Sequence, residues 1–154
     1  MEERATPGQL MTTRYDTDFY GWTQEQAELL KARHWHLIDV DNLIEEIETL
    51  GRQERRELVN RLAVLLGHLL KWQYQPEGQG NSWLATIREQ RRKVGRLLEQ
   101  NPSLTSYLEE ALQKAYEDGL DLAVRETELP YETLPSACPY TLDQALSSNF
   151  LPSA

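Results

Sequence analysis

Between residues 53 and 76 the chain reads QERRELVNRLAVLLGHLLKWQYQP, and Leu58, Leu62, Leu65, Leu69 and Trp72 recur there at alternating steps of four and three. An α-helix repeats every ~3.6 residues, so this alternation collects all five side chains on one side of a helix. Val59, Leu66 and Leu70 widen the stripe to roughly half the circumference, more than the seam of a two-helix pair needs. A helix apolar over so much of its surface must be central and touch several neighbours. Pro76, Gly78 and Gly80 end it. Residues 41–76 are therefore the expected spine of the fold, as one long helix or a helical hairpin.

The start of the spine carries its own apolar face, Leu43, Ile44, Ile47 and Leu50, with Asp41 as a suitable N-cap. Gly51 follows. It either closes this helix with a left-handed cap or sits inside a continuous helix at a cost of about 1 kcal/mol relative to Ala. A kink or short break is expected. Upstream, Thr23 and Gln26 have capping-box spacing, which predicts a helix from Gln24 with Ala27, Leu30, Trp35 and Ile38 on its inner side and a break near Asp39.

Beyond the spine, Asn81 or Ser82 is the expected cap of a helix that turns Trp83, Ile87, Val94, Leu97 and Leu98 inward and ends at Asn101-Pro102. Pro102 suits the first turn of another helix, with Leu104, Leu108, Leu112, Ala115, Ala123 and Val124 inward and Pro130 as its stop. The proline-rich tail holds one short helix, because Thr141 and Gln144 again have capping-box spacing. No stretch alternates with period two, so no strand is expected.

The predicted fold is all-α: a four- to five-helix bundle with an aromatic N-terminal arm and a loop-rich C-terminal tail. Residues 1–14 read as a loose arm and 15–154 as a single helical domain, a length that buries a core without staples. Tyr15, Phe19, Tyr20 and Trp22 crowd the start of that domain and are expected to dock on the helical body.

With 25 acids against 16 bases, a net charge of −9 argues against the surface as a whole serving as a footprint for nucleic acid. The charge is segregated. Residues 15–51 carry nine acids and two bases, whereas 52–75 and 82–100 each carry five bases and two acids. Residues 101–132 return to eight acids and two bases. In an antiparallel bundle sequence neighbours pack together, so acidic and basic helix edges are expected to face one another.

Cys138 is the sole cysteine, which excludes an intrachain disulfide and a Cys-only metal cage. The start, MEERATPGQL, has no apolar stretch of a secretory signal, and the longest apolar run, residues 62–67, is far short of a membrane span. A cytoplasmic protein with no membrane partner is the expectation.

Three constellations carry potential chemistry. Arg61 and His68 lie two helical turns apart on one edge of the spine, and an arginine followed by six residues and a histidine resembles the motif of small helical nucleases of the HEPN group. That resemblance implies an RNA-acting enzyme. Against it, Glu57 precedes Arg61 by four residues, the favoured order for a helical ion pair, and His68 among leucines suits a boundary histidine bonded to a carboxylate.

A metal site could be assembled only by tertiary contact, from Glu45, Glu46 or Glu48 with His68. His34 and His36 point to different sides of a helix, and Asp16 and Asp18 lack the rest of a calcium loop. Arg88, Arg92 and Arg96 recur every four residues as a basic strip suited to phosphate, or else as a solvated face paired with acids from neighbouring helices. Cys138 has no activating neighbour in sequence.

Taken in order, YDTDFYGWTQEQAELLK, DNLIEEIETLGRQERRELVNRL, LLGHLLKWQYQP, SWLATIREQRRKV and CPYTLDQAL resemble domain of unknown function family 29, a bacterial family abundant in cyanobacteria, over about residues 15–152. The resemblance implies an all-helical domain and brings no established reaction. The positions that match best are Glu45, Glu46, Gly51, Arg55, Arg56, His68, Lys71, Trp72, Trp83, Gln90 and Arg91. The expected function is a non-enzymatic protein-interaction or assembly module without cofactors, whose partner is a second copy or another protein, with nucleic acid disfavoured. An RNA-acting enzyme and a metal-binding bundle are the alternatives.

Overall fold

The spine forms as a single α-helix, α3 (Val40–Tyr74), in the computed structural model, which describes residues 14–154. The short break expected at Gly51 does not occur, since the helix is continuous there. Gly51 is not in a left-handed conformation, and the residues that follow it, RQERREL, are strong helix formers. Their propensity carries the helix through a glycine that disfavours it by only about 1 kcal/mol. The described residues contain no strand.

The chain divides into two compact units, residues 1–50 and 51–154, and α3 contributes to each. In the first, α1 (Arg14–Thr17) and α2 (Phe19–Lys31) lead through a 3-10 turn (Trp35–Leu37) into α3. The aromatic stretch is thus helical and not an arm. The loose segment expected over 1–14 lies, apart from Arg14, outside the described residues.

Helix α2 starts at Phe19 and not at Gln24, because Asp18 caps it first: Gly21 N–H donates to Asp18 Oδ1 at 3.0 Å. Thr23 is left inside the helix, its hydroxyl donating to Tyr20 O at 2.7 Å. Tyr15, Phe19 and Trp22 pack ring against ring, with centroids 4.7–5.7 Å apart.

Asp39 ties this unit together. Its carboxylate accepts from Trp22 Nε1 at 3.0 Å and from Asn42 Nδ2 at 2.8 Å, and its own N–H donates to Gln26 Oε1 at 2.8 Å. The first turn of α3 hangs from Asp39 O, which accepts from Leu43 N–H at 3.0 Å, so Asp41 falls inside the helix instead of capping it. Tyr15 donates its hydroxyl to Glu46 Oε1 at 2.5 Å, a bond that pushes the phenol up to about 12. Leu30 and Trp35, expected inward, are exposed.

In the second unit, α3 delivers Leu58, Leu62, Leu65, Leu66, Leu69 and Leu70 into the core without residual exposure. Helix α4 (Asn81–Gln100) adds Ile87, Val94 and Leu97, and α5 (Leu108–Thr127) adds Leu108, Ala111, Leu112, Ala115, Tyr116 and Ala123. The width of the leucine stripe is explained by these neighbours.

Asn81 is the first residue of α4, after Gly80, rather than its cap. Pro102 opens a 3-10 segment (Pro102–Tyr107) that feeds α5. Helix α5 ends before Pro130 is reached, with Glu128 left-handed at φ 61°.

Helices α3 and α5 touch backbone to backbone at Gly67 and Gly119, where a Cβ on Gly119 would lie 2.9 Å from Ala63 O and 3.1 Å from Gly67 N. The tail folds over this core. Its short α6 (Leu142–Leu146) has the complete Thr141/Gln144 capping box. Tyr140 donates to Gln73 Oε1 at 2.7 Å, and Tyr116 donates to Pro135 O at 2.5 Å.

The facing of acidic and basic helices is represented by Lys71, whose Nζ is 3.7 Å from Glu126 Oε1 across α3 and α5. Arg61–Glu57 and Lys93–Glu89, by contrast, pair within a helix.

Candidate functional site

His68 is 8% exposed, and its Nδ1 lies 2.9 Å from Val64 O, one turn back on α3. A carbonyl accepts only, so Nδ1 carries the proton and Nε2 is left as the acceptor. The bond is to the backbone, not to a carboxylate as expected. Burial pushes the imidazole below its ordinary value, and nearby Lys71 lowers it further.

Lys71 is 4% exposed, with its ammonium 4.5 Å from the Trp83 ring centroid, a cation–π contact alongside the Glu126 pair. Sequence reasoning missed Lys71 as a buried cation, since its spacing on the leucine stripe carries no charge signal.

Arg61 is partly exposed, and its Nη2 lies 3.4 Å from Glu57 Oε1, the expected helical pair. It lines an open surface depression of about 390 Å³ with Gln53, Arg56, Glu57, Asn60 and Val64. No hydrogen bond joins Arg61 to His68.

Glu45 and Glu46 belong to the N-terminal unit and His68 to the C-terminal one, and Glu46 is engaged by Tyr15. Among the described residues no group of three or more His, Cys, Asp or Glu side chains is placed to hold a metal ion.

The neutral, buried His68 makes stability depend on pH in one direction. Its folded value lies below the unfolded 6.5, so below pH 6.5 the unfolded chain binds the proton more tightly. Unfolding free energy should therefore be flat with respect to this group above pH 7 and fall as pH drops from 6.5 towards the folded value. The slope contributed is at most about 1.4 kcal/mol per pH unit. Urea titrations at pH 7.5, 6.5 and 5.5 check this, and His68→Gln should lose that part of the slope. An unchanged slope in the variant assigns the dependence to other groups.

The basic strip is exposed as expected, but among the described residues the acids of neighbouring helices do not pair with it. Among the described residues Arg88, Arg92 and Arg96 make no ion pair or hydrogen bond. The strip's periodicity passed over Arg91, which is the better-held cation. Arg91 donates from Nε to Ala145 O at 2.8 Å, and from Nη2 to Phe150 O at 2.8 Å and Gln144 O at 3.3 Å.

The largest surprise lies on the first turns of α3. Val40, Ile44, Ile47 and Leu50 are all about half exposed or more, Ile47 the most at 65%. Leu30, Trp35 and Leu37 of the same unit are exposed as well. Of the apolar face expected from periodicity, Ile44, Ile47 and Leu50 are exposed and Leu43 is half-buried.

These features define an all-α protein with one long central helix, a buried His68–Lys71 pair, an exposed apolar stripe and an exposed basic strip on α4. Among the described residues no helix is long and apolar enough to cross a membrane. The chain belongs to the family described as Domain of unknown function DUF29, which it matches over residues 14–151. No curated protein and no solved structure matches it.

Proposed function

We propose that this protein is a non-enzymatic assembly module that pairs with a second copy of itself along the N-terminal turns of α3. The observation that carries the reading is the exposed stripe Val40, Ile44, Ile47 and Leu50, at helical steps of four, three and three. Apolar stripes of this kind are seldom left open to water unless something covers them.

Two features favour a second copy as the cover. Asp41, Glu45, Glu46 and Glu48 accompany the stripe, and Arg52, Arg55 and Arg56 follow it on the same helix. Two antiparallel copies crossing near Leu50 bring Glu45 and Glu48 of each alongside Arg55 and Arg52 of the other, and twofold symmetry satisfies both sides at once. A parallel pairing would set like charges together.

Gly51 continues the stripe four residues after Ile47, with open space where its Cβ would be. It weakens the helix by about 1 kcal/mol with no contact in the monomer to require it, and a glycine there lets a second backbone approach.

Sedimentation at increasing concentration tests the reading. A dimer with a dissociation constant in the range of about 1–100 µM is expected. Ile47→Asp should weaken it about 30-fold or more, the ~2 kcal/mol of a central contact. Gly51→Ala separates the monomer from the interface: it should raise monomer stability by about 1 kcal/mol while weakening the dimer. A wild-type chain that sediments as a monomer at roughly 100 µM and above overturns the proposal.

A further inference from the structure

We propose that the depression between α4 and the tail, lined by Arg88, Arg91, Arg92, Leu146 and Ser148, is a binding site for a small phosphate-bearing molecule, with pyrophosphate as its simplest representative. The depression is open and has a volume of about 340 Å³, and among the described residues no carboxylate lines it.

Three guanidinium groups share this space. Arg91 is fixed by the carbonyls of Ala145, Gln144 and Phe150, which take Nε and Nη2 and leave Nη1 without a hydrogen bond among the described residues. Those acceptors are neutral, so the positive charge of Arg91 is held in place and not cancelled. Arginine stays protonated in proteins.

Arg88 and Arg92 stand one turn apart beside it and make no ion pair among the described residues. Glu89, the nearest carboxylate in sequence, lies outside the depression's lining and bonds Lys93 at 2.8 Å, which holds its carboxyl below the usual range, and the charge of Arg92 lowers it further. Like charges gathered this way repel one another unless an anion joins them.

The donor set suits phosphoryl oxygens. Guanidinium forks match them in geometry, and the Ser148 hydroxyl offers a further donor. Three cations around a space of this size match a pyrophosphate better than a single sulfate or chloride. A long nucleic acid is disfavoured by the net charge of −9, which repels an extended polyanion away from this one spot.

Calorimetric titration of the full chain with inorganic pyrophosphate at low ionic strength tests the site. Saturable binding of one pyrophosphate per chain is expected, weakened about tenfold or more in the double variant Arg88→Gln/Arg92→Gln. Both side chains are exposed and bond nothing among the described residues, so the variant should fold as the wild type does, which circular dichroism checks. Arg96→Gln, on the same strip but outside the depression, should bind within about twofold of wild type.

Three results overturn the proposal: no saturable binding up to about 10 mM, an equal loss in Arg96→Gln, or binding of single-stranded RNA without binding of pyrophosphate. The first leaves a solvated basic face, the second diffuse attraction, and the third a nucleic-acid strip. None bears on self-association through α3.

Discussion

Gly119→Val is expected to lower the unfolding free energy by more than about 3 kcal/mol, the upper end of what overpacking a core costs. The reason is that both nearest obstacles are backbone. A Cβ at 119 meets Ala63 O at 2.9 Å and Gly67 N at 3.1 Å, and neither atom can rotate aside as a side chain would. Helices α3 and α5 must part, and the contacts of Leu66, Ala115 and Ala123 loosen with them.

The converse site agrees, since a Cβ on Gly67 would lie 2.9 Å from Gly119 O. Gly119→Ala should be milder, about 1–3 kcal/mol of overpacking offset by about 1 kcal/mol of helix propensity. Urea unfolding of the three proteins measures this. A valine variant as stable as the wild type would show that the helices do not meet at these glycines.

Arg91→Ala should release the tail. Three carbonyls lose their donor at once, and hydrogen bonds to a charged group contribute about 1.5–3 kcal/mol each, though not additively. A loss of about 3 kcal/mol of local stability is expected, or roughly a hundredfold faster amide exchange over residues 142–150.

Tyr140 and its bond to Gln73 anchor the tail at a second point, so α3, α4 and α5 should keep their exchange protection. Arg91→Lys should not rescue the tail, because one ammonium cannot span carbonyls that a planar fork reaches together. Exchange at 142–150 unchanged from wild type in Arg91→Ala would mean that Leu142, Ala145 and Leu146 hold the tail by packing alone.

Much of this fold was legible from residues alone. The steps of four and three through Leu58, Leu62, Leu65 and Leu69 specify a central helix, and the neighbours needed to cover so wide a stripe follow from it. The capping box at Thr141 and Gln144 was readable too, because a cap is a local interaction over three residues. The same reasoning misplaced the start of α2. Thr23 and Gln26 have the right spacing, but Asp18 offers an earlier cap, and competing local signals are resolved by which aromatic rings can pack together.

What residues alone determined, then, is which side chains share a face: the leucines of α3, the stripe through Ile44, Ile47 and Leu50, and the arginines of α4. What only the tertiary structure decided is what each face meets. The leucine stripe is covered by α4 and α5, whereas the stripe through Ile44 and Ile47, with the same period, is bare.

Arg91 grips the tail while Arg88 and Arg92, on the same helix, grip nothing among the described residues. Periodicity is a property of one helix and its backbone geometry. Burial and pairing depend on segments far away in sequence, such as the tail that returns to Arg91 from more than fifty residues on.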